Sequence, residues 1–182
     1  TAIIVFSAYS CYKAIDYYSL YFYEILEYTK EKSAFLMTIL SYTRPVSALI
    51  AGYIADKISP SKCTKFLFFL LLIAYAFLVA LGESNLITFI LITNLIITMV
   101  GVFALRGIFY SLLKDSGIPI SITGAAVGIV SFIGYMPDIY IGPLSGFMLD
   151  DSNIERGFKI FYIFFFLISS LGLLSTIYLK KT

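Results

Sequence analysis

No histidine occurs among the 182 residues. That removes histidine metal sites, serine–histidine nucleophilic pairs and the imidazole pH switch. Cysteine is nearly absent too. Cys11 and Cys63 lie in or beside apolar stretches, with neither disulfide nor zinc spacing, so no metal and no cofactor are expected. The paired-aspartate Gly-x-Gly-Asp motif of an intramembrane protease is also missing, and the chain reads as no enzyme. Charge is scarce, at 13% of positions and a net +2, too little to suggest a nucleic-acid partner. No basic n-region or small-residue cleavage site opens the chain. It enters an apolar run directly from Thr1, as a fragment of a longer protein would.

What remains is apolar. Hydrophobic residues make up 60% of the chain and the mean hydropathy is +0.93. A soluble domain of this length cannot bury so much apolar surface, so the composition is that of a polytopic protein partnered by the lipid bilayer. A hydrocarbon core of ~30 Å needs about 20 mostly apolar residues per helix. Stretches 2–24, 34–56, 65–82, 86–113, 121–149 and 158–179 qualify. The breaks between them are short and polar, which predicts one all-α bundle over residues 1–182 with six transmembrane helices. Lys57, Lys62, Lys65, Lys114, Lys180 and Lys181 collect at one set of span ends, against Lys30, Lys32, Arg156 and Lys159 at the other. The positive-inside rule then puts both termini and the turn from Lys57 to Lys62 in the cytosol. Acidic residues, among them Glu24, Glu27, Glu31, Glu83, Asp150, Asp151 and Glu155, gather on the opposite side.

A pattern repeats within this frame. Gly52-Tyr53-Ile54-Ala55-Asp56 and Gly146-Phe147-Met148-Leu149-Asp150 close two spans, and 150 − 56 = 94 positions separate them. At that offset spans one to three overlay spans four to six, and Arg44 falls on Asp138. Repeat 1 is residues 1–85 and repeat 2 residues 86–182. An odd number of spans makes the second triplet enter from the opposite side, so the repeat is inverted, 3+3.

Ionisable residues inside spans are costly and mark function by default. Lys13 and Asp16 share a helix face, with Tyr9 a turn before. Lys13 falls one residue from the counterpart of Arg106; it either forms a self-neutralising pair with Asp16 or faces the cavity and, with Arg106, contacts the solute. Arg44 precedes Pro45, whose ring removes a backbone hydrogen bond, and either bridges to Asp138 or binds an anionic solute. Arg106 has no acid in its own helix and has Tyr110 one turn on. It contacts substrate, or pairs across helices with Asp16 or Asp138. Asp138 beside Pro137 and Asp16 are candidates to carry a coupled proton, while Tyr9, Tyr110 and Tyr135 are placed to line a polar cavity. Gly124 to Gly128 offers a small-xxx-small packing surface. The third spans carry almost no charge and read as lipid-facing supports.

Gly52, Asp56, Lys57 and Lys62 resemble the signature loop of the major facilitator superfamily, with Ser59, Pro60 and Ser61 replacing its later glycine and first basic positions. Pro119, Thr123-Gly124-Ala125-Ala126-Val127-Gly128, Ile133-Gly134-Tyr135 and Pro137-Asp138 resemble the eleventh helix of bacterial members, and Arg106-Gly107 their tenth. The resemblance covers essentially the whole chain as a C-terminal six-helix half. It implies a bacterial inner-membrane porter working by alternating access with an N-terminal six-helix half, the loop of Gly52, Asp56, Lys57 and Lys62 acting as a gate. Asp56 would face a helix N-terminus near Ser121. Three intramembrane cations against two acids lean towards a small anionic solute, such as an organic acid, sugar acid or sugar phosphate, moved alone or with a coupled proton. A transporter-like sensor or a channel of six-helix subunits is the alternative.

Overall fold

The computed structural model describes residues 1–81, 88–115, 119–150 and 153–179, with only the backbone described at 114, 115 and 120. The expected junction between repeats at 85/86, and the charges Glu83, Asp151, Lys180 and Lys181, lie outside the described residues, as does the side chain of Lys114. Among the described residues every regular element is helical: α1 Ala2–Ala14, α2 Tyr18–Glu24, α3 Lys30–Ser41, α4 Thr43–Lys57, α5 Pro60–Leu81, α6 Thr88–Ile108, α7 Leu112–Asp115, α8 Thr123–Gly134, α9 Pro137–Leu149 and α10 Ile154–Tyr178. Short 3₁₀ turns at Ile15–Tyr17, Phe109–Ser111 and Ile120–Ile122 join or precede them.

Five stretches are long and apolar enough to cross a bilayer: Lys30–Lys57, Pro60–Leu81, Thr88–Ser111, Thr123–Leu149 and Ile154–Tyr178. The expected first span, 2–24, is helical but is not among them. Lys13, Asp16 and its tyrosines lower its hydropathy, and a 3₁₀ turn interrupts it beside the charged pair. Two other helices begin earlier than hydropathy places them, because their first turns are polar and capped. The Thr29 side chain accepts from the Lys32 backbone N–H at 3.2 Å and opens α3. Asn153 does the same for Arg156 at 3.1 Å and opens α10. Such caps satisfy amide donors that a helix start leaves free. At the start of α5, Pro60 takes the first helical position, where its missing N–H costs nothing.

Two of the long stretches bend inside the apolar zone. The α3–α4 stretch breaks at Tyr42, just before Thr43-Arg44-Pro45, and α8–α9 breaks at Tyr135 and Met136, just before Pro137-Asp138. In both, the proline sits in the first turn of the new helix, which is where a backbone without its amide hydrogen is tolerated.

α1 is deeply buried, with Ile4, Val5, Ala8, Cys11 and Ala14 fully enclosed. It packs on α10, α8, α9 and α6. α4 lies along α6, and α5 lies between α6 and α10. The core beneath is aromatic: Tyr21, Phe158, Phe161, Tyr162 and Phe165 meet mostly edge to face, with Tyr75 stacked on Tyr162. The third spans keep apolar outer faces, Phe66, Phe69 and Ile73 on α5 and Leu167, Leu171 and Leu174 on α10. That fits supports facing lipid.

Close approach falls at other glycines than the expected pair. A Cβ at Gly124 or Gly128 would meet nothing within 4 Å, whereas one at Gly107 would stand 2.9 Å from the Ala48 backbone. The small-xxx-small face of α8 is thus unpartnered, because α8 touches α1 through Gly134, against Val5, instead. Gly107→Ala is therefore expected to destabilise the bundle by roughly 1–3 kcal/mol through overpacking. Gly52→Ala, whose added methyl meets open space, should stay within about 0.5 kcal/mol. Thermal melting of both purified variants in detergent, scored against the parent, checks the contrast.

Candidate functional site

The interruptions of the long helices collect charged side chains on one side of the bundle. At the C-terminal end of α1, Lys13 lies 2.5 Å from Asp16, in the following 3₁₀ turn, and 3.5 Å from Asp138, in the first turn of α9. The Tyr9 hydroxyl donates to the second Asp138 oxygen at 2.8 Å. One cation thus holds two carboxylates from different spans, and the pair Tyr9–Lys13 docks α1 on α9. Lys13 is about a quarter exposed and each carboxylate about half exposed, so the triad opens on a cleft.

The two arginines make a different arrangement. Arg106, from the last turn of α6, sits over Tyr12, its guanidinium carbon 4.0 Å from the ring centroid, and 5.2 Å from the Tyr9 centroid. Arg44, from the first turn of α4, reaches the same Tyr12, 5.5 Å from the centroid, with Nη1 donating to the hydroxyl at 3.5 Å. Both contacts are cation–π interactions, which hold a guanidinium without neutralising its charge. Among the described residues neither arginine has a carboxylate within ion-pair distance. The alternative bridges, Arg44 to Asp138 and Arg106 to Asp16 or Asp138, are therefore not formed. Lys13 takes both acids because it stands between them on α1.

Tyr110, in the 3₁₀ turn after α6, completes the ring. Its hydroxyl lies 2.8 Å from Ser131 of α8 and donates to Tyr135 at 3.2 Å. Tyr135 packs edge-on to Tyr9 at 4.6 Å between centroids. All eight candidates for binding or coupling, Tyr9, Lys13, Asp16, Arg44, Arg106, Tyr110, Tyr135 and Asp138, thus meet in one connected cluster. A hollow of about 370 Å³ lined by Gly128, Ser131 and Tyr135 adjoins it. Sequence reasoning missed two members, Tyr12 and Ser131. Tyr12 was legible in principle: it lies one turn from Tyr9 and is the counterpart of Arg106 at the 94-residue offset. Ser131 carries no comparable signal.

The expected gate looks different. Gly52, Asp56 and Lys57 belong to α4, Lys62 belongs to the first turn of α5, and only Ile58 and Ser59 intervene. Lys57 sits over the Tyr53 ring at 4.4 Å. Asp56 is exposed, and among the described residues no hydrogen bond links it to the turn at Ser121. This is a tight helical hairpin instead of a loop, because Pro60 starts the next helix at once.

With five apolar spanning helices and charge kept to an inner cluster, the chain is an integral, multi-pass membrane protein. It is 31% identical over 115 residues, 62% of its length, to a protein of Escherichia coli (strain K12) named inner membrane protein YihN. The chain spans 27% of that relative's length. No protein-family profile and no solved structure matches it.

The two halves of the cluster carry opposite stability expectations. A double-mutant cycle of Lys13→Met and Asp138→Asn should give a coupling of about 1 kcal/mol, the upper range for a partly exposed pair. Arg44→Gln, removing a charge with no carboxylate partner, should change stability by less than about 0.5 kcal/mol. Melting temperatures of the four variants and the parent in detergent check both statements.

Proposed function

We propose that this chain forms a six-helix half of a porter of the major facilitator type, which moves a small organic anion across the membrane by alternating access. The observation that carries the reading is the division of charge within one cluster. Lys13 is paired with Asp16 and Asp138, while Arg44 and Arg106, with no carboxylate partner among the described residues, share the aromatic support of Tyr12. A guanidinium fork matches carboxylate or phosphate oxygens two at a time. A solute carrying such a group has two forks to meet and balances a positive excess that a low-dielectric site penalises.

Regularities in the helices support the inverted 3+3 repeat behind this reading. The 3₁₀ turns begin at Ile15 and Phe109, and the bent spans restart at Thr43 and Pro137; each pair differs by the same 94 positions as the glycine-aspartate motifs. Helix partnerships are also preserved when the triplets are exchanged. α4 packs on α6 as α9 packs on α1, α5 on α6 as α10 on α1, and α4 on α5 as α9 on α10. On this reading 2–24 is the sixth membrane span, its polarity explained by its place in the centre of the bundle. Kinship with an inner membrane protein supports the compartment, and the clustering of lysines at the 57–62 hairpin supports a cytosolic position for it.

In this mechanism Arg106 and Arg44 bind the anion, with Tyr12 holding both guanidinium planes. Asp138 carries the coupled proton. A proton on Asp138 removes its charge attraction for Lys13 and so weakens the tie between α1 and α9. An upstream six-helix half supplies the facing wall of the cavity.

Uptake by the full-length protein in vesicles tests this. Arg106→Gln should raise the KM for a transported anion about 10- to 100-fold, the effect of losing a charged hydrogen bond. Asp138→Asn should abolish accumulation against a gradient and leave counterflow intact. An unchanged KM in the first variant removes Arg106 from the site, and retained pH-dependent accumulation in the second removes Asp138 from coupling.

A further inference from the structure

A second, larger hollow lies outside the charged cluster. It is a crevice of about 950 Å³ between α4 and α5, floored by Val100 and Ala104 of α6. Its origin is the tight seam between α4 and α6. Ala51, Ala55, Ala104 and Ile108 form a small core of their own there, and Gly107 lets the Ala48 backbone come close. α4 is thus drawn onto α6, while α5 turns away after Ile58–Ser59 to pack on α10. The two helices of the hairpin diverge and leave a wedge open on its outer side.

The lining is apolar nearly throughout, with Ile50, Ile54 and Ile58 on one wall and Phe66, Leu67 and Leu70 on the other. Of its hydroxyls, Thr43 donates to the Leu40 carbonyl at 2.6 Å and Ser47 to the Thr43 carbonyl at 2.8 Å, while Tyr42, which also lines it, is exposed. One charged residue lines it, Lys62, at the narrow end. Lys57 and Lys65 flank that end, with Asp56 beside Lys57, and among the described residues no carboxylate lines the crevice.

We propose that the crevice binds one anionic phospholipid of the bilayer, an acyl chain lying between α4 and α5 and the headgroup phosphate resting on Lys62. A peptide strand or helix end placed here would find almost nothing to pair its backbone groups with, which is prohibitive in hydrocarbon. An acyl chain has no such need and fills a wedge whose walls otherwise lose their dispersion contacts. Length agrees as well. The two-walled part runs from Lys62 to Leu70, about 12 Å at 1.5 Å per residue, close to one leaflet of a ~30 Å core. A cation at the membrane boundary above an apolar groove is the arrangement that selects anionic headgroups. The site is independent of the transport reading.

Native mass spectrometry of the purified full-length protein, titrated with phosphatidylglycerol or phosphatidylcholine, tests it. The parent should retain phosphatidylglycerol about fivefold better, the effect of one lysine at a membrane surface. Lys62→Gln should bring the two lipids to parity, and Lys30→Gln, at the far end of the α3–α4 stretch, should leave the preference intact. Ala51→Phe, which fills the crevice, should release both lipids; where that variant fails to fold, Leu70→Trp at the mouth serves the same purpose. Equal retention of the two lipids by the parent overturns the proposal. So does efficient cross-linking of Cys63, which lines the crevice, to another part of the polypeptide, since protein would then occupy it.

Discussion

A charge brought into a low-dielectric layer must find a partner or a polar cavity, and this bundle is arranged around that requirement. Lys13 on the buried helix α1 satisfies it by drawing in Asp16 from the following turn and Asp138 from α9. Helix α1 could not otherwise occupy the centre, where its neighbours cover it on several sides. The same requirement accounts for the interruptions. Each charged position of the cluster lies at or within one turn of a place where a long helix bends, tightens or restarts, and such places are tolerated at membrane depth only where they face protein or a cavity.

The second organising feature is contact between small residues. The α4–α6 seam depends on Gly107 and the alanines opposite it, and α10 can approach α5 because Gly172 accepts the Phe68 ring. These contacts set which faces are sealed and which stay open. Sealing α4 against α6 brings Arg44 and Arg106 to one tyrosine, and it also parts α4 from α5. The charged cluster and the apolar wedge are two results of one packing choice.

Much of this was legible beforehand because hydropathy and charge are local properties. Five of six spans, their order and the eight cluster residues follow from where apolar runs and isolated charges fall. Partner choice was not legible. Helical periodicity says which residues share a face, but not which neighbour that face meets, so Asp138 could not be assigned to Lys13 over Arg44. For the same reason Gly124 and Gly128 read as a packing surface although their face is open, and Gly134 gave no comparable signal. Helix starts at Lys30 and Ile154 escaped because caps are polar and hydropathy treats them as breaks. Tyr12 was passed over as one tyrosine among 15, since an aromatic face becomes a support only when a cation from another helix reaches it.

Tyr12 has one more consequence. In the proposed repeat it is the counterpart of Arg106, and the two are in contact. When a twofold rotation exchanges two residues that touch, the rotation axis runs between them. In that repeat, the contact of Arg106 with Tyr12 would mark where the approximate axis crosses the charged cluster. Under the proposed function, a solute bound there would sit near the pivot, where a rocking motion displaces atoms least, at a depth set by the repeat and not by the length of any one helix.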